Sequence, residues 1–147
     1  MSIRRAIEAN FKWTLDPHFQ NGSHQVVESL RTEDRPFPAI VIVAGQAVSA
    51  LPEQPDNLGN YKIPVSVIVM SSYDETSVNT HTGIVYEITN IFRNIQNRRK
   101  SRVKGLYVYD IIPGAVGEAH EGRKLSSVLN FDAMVNYAPI AQEPEPL

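Results

Sequence analysis

A chain of 147 residues has room for one domain with a substantial core and little room for two. Its hydrophobic fraction of 42%, charged fraction of 20% and net charge of −2 describe a globular protein without the basic excess of a dedicated nucleic-acid binder. With no cysteine, disulfide scaffolds, thiolate zinc sites, thiol nucleophiles and iron–sulfur clusters are excluded. No apolar run approaches the ~20 residues of a membrane helix. The basic start Met1-Ser2-Ile3-Arg4-Arg5 is not followed by the apolar stretch of a signal peptide. The expectation is a chain made in a cytosol, with no membrane partner.

Residues 2–13 predict a short amphipathic helix capped by Ser2, with Ile3, Ala6, Ile7 and Phe11 on one side and Trp13 close by. Asp16-Pro17 is expected to end it, because the residue before a proline is pushed out of the helical region. Residues 16–25 are polar and turn-rich, and Val26, Val27 and Leu30 suggest a small helix over 24–31.

Ala39–Ala44 is nearly continuous and β-branched, the signature of a strand buried on both faces. Residues 46–60, with Pro52, Pro55 and Gly59, read as a long surface loop. In the next strand Ile63, Val65, Val67 and Val69 face one way and Lys62, Ser66 and Met70 the other. Pro64 lacks an amide donor and predicts an edge position or an irregular start.

Ser71–Thr76 is expected to turn the chain into the main helix, about 76–97, with Asp74 and Thr76 as capping candidates. Its apolar stripe runs through Val78, Val85 and Phe92 with Ile84, Ile88, Ile91 and Ile95 beside it, as in a helix laid on a sheet. A strand is predicted from Leu106 to Ile112, stopped by Pro113-Gly114, then a loop over 113–123 and a last strand over about 124–137. The whole is an α+β fold: a small, mostly antiparallel sheet of about four strands with the long helix on one face. Residues 1–137 form its single domain. The tail 138–147, with Pro139, Pro144, Pro146 and two glutamates, is expected to be extended or disordered in the isolated chain.

Phosphate-binding and nucleophile motifs are absent, and no cofactor is implied. Asp74, Glu75 and His81 gather at the start of the long helix. Glu75 and His81 are six residues apart and point to different sides, so capping explains them better than acid–base or metal chemistry. Glu118, His120 and Glu121 lie in the predicted loop and read as solvated, as do His18 and His24. The run Arg98, Arg99, Lys100, Arg102 and Lys104 complements the negative end of the helix and is also a candidate contact patch for an acidic partner or for passing DNA. No convergent catalytic set is visible, so the chain is expected to bind rather than catalyse. A small enzyme or ligand-binding domain would require a buried polar pocket.

The succession of Ile40–Ala44, a proline-bearing loop, Tyr61–Val69, the Tyr73-Asp74-Glu75-Thr76 turn, a helix from His81 to Ile91-Phe92-Arg93, a basic linker and two strands resembles the small tail-completion proteins of long-tailed bacteriophages, the tail terminators. The resemblance covers about residues 1–137 and rests on element order, without a diagnostic motif. It implies a virion protein of the tail or neck, assembled in the host cytoplasm as a homo-oligomeric ring, often a hexamer. Its partners would be the tail tube protein and the head-side connector, with DNA near the ring lumen. Head-closure and adaptor proteins of the same neck share this texture and stand as the alternative. No catalytic residue is carried over.

Overall fold

The computed structural model describes residues 2–19, 25–28, 39–49, 60–72, 75–121 and 124–138. Elements follow in the order α1 (Ile3–Phe19), β1 (Gln25–Glu28), β2 (Ala39–Ala44), β3 (Val48–Ser49), β4 (Asn60–Ser72), α2 (Glu75–Arg93), α3 (Ile95–Arg98), β5 (Leu106–Glu121) and β6 (Lys124–Tyr137). The strands form one sheet in the order β1-β2-β4-β6-β5, with the short β3 also on β4. The four expected strands are present as β2, β4, β5 and β6 and pair antiparallel, whereas β1 joins β2 in parallel. The fold is α+β as expected.

The period-2 pattern of β4 sets the register. Ile63, Val65, Val67 and Val69 stand on one face beside Ile40 and Ile42 of β2 and Leu129, Phe131, Ala133 and Val135 of β6, all buried. Both helices cover this same face. Ile7, Phe11 and Leu15 of α1 and Ile84, Ile88 and Phe92 of α2 complete the core. The rings of Phe11, Phe92 and Phe131 meet at centroid distances of 4.7 to 5.7 Å. Each fully buried side chain of this size contributes roughly 1.5–3 kcal/mol by leaving water. Helix α1 packs beside α2, its apolar stripe against the same apolar side of β2. The opposite face carries the Lys62–Asp132 pair at 3.8 Å, a Ser66–Asn130 hydrogen bond, and Tyr107 and Tyr109.

Several expectations are corrected. Helix α1 does not stop at Asp16 but runs through Pro17 to Phe19. One lost amide donor in the last turn is outweighed by burial of Leu15 and Phe19. Ser2 caps as expected, its Oγ accepting from Arg5 N–H at 3.2 Å, while Trp13 is 46% exposed rather than packed. The helix expected over 24–31 is a strand at Gln25–Glu28, where two β-branched valines pair with Ile40 and Val41. Within the expected loop 46–60, Val48–Ser49 pairs with Lys62 and Tyr61, and 50–59 lie outside the described residues.

Pro64 lies in a central strand, not at an edge. Its carbonyl accepts from Gly45 N–H at 2.7 Å. The amide position of the same residue faces the same side, at the place where β2 gives way to β3, so no ladder bond is lost. Ser71 and Ser72 belong to β4. Helix α2 begins at Glu75, leaving Thr76 inside it and Asp74 outside the described residues. It ends at Arg93, not Asn97: Asn94 leaves the helical region at ψ 116°, and its side chain caps α3 by accepting from Gln96 N–H.

The largest correction concerns residues 113–121. Strand β5 does not stop at Pro113-Gly114 but continues to Glu121, paired with β6 throughout a long hairpin. Pro113 is tolerated because β5 is a sheet edge, and register shifts between Val108 and Asp110 and between Pro113 and Val116 absorb the misfit. Residues 139–147 lie outside the described residues.

Candidate functional site

The basic run lies on α3 and the segment leading into β5, and the fold uses much of it internally. Arg98 Nε donates to Asp110 Oδ1 at 3.2 Å, and Arg99 reaches the other carboxylate oxygen at 3.9 Å. The buried Asn10 of α1 grips the segment from the other side. Its amide donates to Lys100 O at 3.3 Å and its carbonyl accepts from Arg102 N–H at 2.7 Å. Arg102 Nε donates to Thr14 Oγ1 at 3.1 Å. Lys100 and Lys104 are exposed and have no ion-pair partner among the described residues. The five basic residues thus divide: Arg98 and Arg102 fasten the segment, Arg99 is weakly held, and the two lysines face solvent.

The histidine singled out at the start of α2 has a different setting from the one its neighbours in sequence suggested. His81 is buried between two serines, with Nδ1 2.7 Å from Ser71 Oγ and Nε2 2.8 Å from Ser127 Oγ. Burial holds its pKa below the ordinary value of 6.5, and the negative charge of Glu118 partly opposes that shift. Both hydroxyls are themselves buried. The arrangement ties α2 to β4 and β6. Glu118 is exposed on β5, and the side chains of Glu75, His120 and Glu121 are not described. Among the described residues no group of three His, Cys, Asp or Glu is placed to hold a metal ion.

Sequence reading missed a concave feature. A cleft of about 290 Å³ opens between α2 and the β5–β6 hairpin. Phe92, Leu129 and Phe131 form its floor, and Arg93, Pro113 and Val116 its rim. It exists because β5 runs past Pro113, so the hairpin extends alongside α2. Treating 113–123 as a loop removed one wall. The signal was indirect: the 14-residue strand 124–137 is far longer than a partner confined to Leu106–Ile112 could pair. Val116 remains 52% exposed and Tyr86, a neighbour on the same side of α2 as Thr89 and Arg93 by helical spacing, 63%.

No family model matches this sequence, and no curated protein matches it. Among solved structures, the fold is similar to a chain described as "Virion of native gene transfer agent (GTA) particle". The TM-score is 0.57 at 10% sequence identity, covering 90% of this chain and 96% of that one. At that identity the likeness is one of fold.

Proposed function

We propose that this chain is a structural subunit of a phage-like particle, a protein that works by binding copies of itself and its neighbours rather than by catalysis. The observation that carries this reading is the near end-to-end fold match with a chain from a gene transfer agent virion. It agrees with the element order that resembles tail terminators.

The finer reading is a ring of identical subunits that closes the tail tube and meets the head-side connector. It is supported by two surfaces: among the described residues no helix covers the sheet face of Lys62, Asp132, Tyr107 and Tyr109, although Ala39 and Val41 at its β2 end are buried, and β5 is the last strand in the sheet order. The described polar cluster Ser71–His81–Ser127 is sealed, as befits a structural rather than a catalytic role. Lys100 and Lys104 are the outward cations available to an acidic partner or to DNA in the lumen.

The test is solution mass by light scattering across concentration, followed by electron microscopy of the chain mixed with purified tail tubes. Multiples of 16.4 kDa that close into rings, or rings seated on tube ends, support the reading. Binding on the head-side connector but never on tubes would favour the head-closure alternative. A monomer that decorates neither would sink both.

A further inference from the structure

We propose that the cleft between α2 and the β5–β6 hairpin takes the proline- and glutamate-bearing segment 139–147 of a second copy of this chain. This deepens the ring reading above by naming one contact within it.

The cleft and the segment match in chemistry. The cleft floor is aromatic and aliphatic, Phe92, Phe131 and Leu129, with Pro113 and Val116 along one side. Exposed Tyr86 continues the α2 wall toward the hairpin tip. The segment Pro139-Ile140-Ala141-Gln142-Glu143-Pro144-Glu145-Pro146-Leu147 combines apolar residues with three prolines. Proline narrows the conformations open to a peptide of this composition, so docking it on an aromatic-lined groove costs less entropy than docking a proline-free peptide. Charge gives the direction. Arg93 lies at the end of the cleft near α3, and the exposed Glu118 lies toward the hairpin tip. Glu143 and Glu145 are drawn to the first and repelled by the second.

Reach decides whose segment it is. Ala138 N–H is held by Gly105 O at 3.0 Å, at the base of the hairpin beside Leu106. From Tyr137 back along β6 to Phe131 is six residues and to Leu129 eight, or ~20 and ~27 Å of strand. Nine residues fully stretched span only ~30 Å. The chain's own segment would also have to reverse direction on leaving β6. It would spend about two thirds of its length arriving at Phe131 and nearly all of it arriving at Leu129, too much to lie along the cleft. A neighbouring copy has no such limit.

The test uses the full chain and a fluorescein-labelled synthetic peptide of residues 139–147, read by anisotropy, with solution mass measured in parallel. Saturable binding is expected, weakened at least about tenfold by Val116→Glu and by Arg93→Glu, since like charges then face each other. Binding to Arg93→Glu should return when both peptide glutamates are replaced by arginine. Circular dichroism and thermal melts confirm that the variants fold; both positions are on the rim, so they should. No saturable binding, or equal binding to the Val116→Glu chain, overturns the inference whatever the ring does. A ring that forms while the peptide fails to bind would leave the ring reading standing and this contact refuted.

Discussion

His81 Nε2 lies 2.8 Å from Ser127 Oγ, joining the first turns of α2 to β6 across the core. With the imidazole neutral, one ring nitrogen donates and the other accepts, and the serines on either side supply the complement. Burial lowers the folded pKa below the 6.5 of an ordinary histidine. For a depressed histidine, stability is fully present above the unfolded value and is lost as pH falls through it, because the unfolded chain binds the proton more readily. Urea unfolding should therefore show a plateau above about pH 6.5 and a decline toward pH 5. His81→Gln should be less stable at neutral pH yet decline less over that interval. An identical decline in the variant would remove His81 as its source.

Asn10 offers a test of how the basic segment is held. Its side chain is fully buried and satisfies both Lys100 O and Arg102 N–H. Asn10→Ala leaves two backbone groups without partners and should cost about 1–3 kcal/mol. Chemical denaturation measures this directly, and a change below about 0.5 kcal/mol, the scatter of ordinary surface substitutions, would show that water replaces the amide.

Phe92 is the junction of α1, α2 and β6, touching Phe11 and Phe131. Phe92→Ala should lower unfolding free energy by about 3–5 kcal/mol. Phe92→Leu, which keeps most of the volume, should cost far less. Equal losses would mean that ring geometry rather than filled volume holds this corner.

Two glycines predict opposite signs for one substitution. Gly105 turns the chain into β5 at φ 85°, a region where an L side chain costs roughly 1–2 kcal/mol, so Gly105→Ala should destabilise. Gly83 is within α2, and a Cβ there would meet nothing within 4 Å. Gly83→Ala should stabilise by about 0.5–1 kcal/mol through helix propensity. Paired thermal melts check both.

For the basic run, the structure separates fastening from contact. Lys100→Ser with Lys104→Ser should leave melting unchanged and weaken assembly onto an acidic partner in a salt-dependent way. Arg98→Ser should instead lower stability by about 1 kcal/mol or less, since its pair with Asp110 is only partly buried. Assembly that is indifferent to the lysines at low salt would dismiss the contact patch.

Much of this architecture was written in the order of the residues. The alternation from Ile63 to Val69, the β-branched run Ala39–Ala44 and the stripe through Ile84, Ile88 and Phe92 each specify an element and its buried face, because strand and helix periods leave different marks on a sequence. The alternation of Leu125 to Tyr137 likewise foretold β6 to within a residue. Tertiary packing decided the rest, where local signals were weak or misleading. Pro17 and Pro113 look like stops, yet the burial of Leu15 and Phe19 carries α1 past the first, and pairing with β6 carries β5 past the second. Val26 and Val27 suit a helix or a strand, and the exposed edge of β2 selects the strand. The serines around His81 come from positions ten residues before it and forty-six after it. The cleft depends on a wall that exists only once β5 continues. Periodicity is a local property that sequence carries by itself, whereas a boundary or a site depends on what lies across the sheet, and that is known only when the chain has folded.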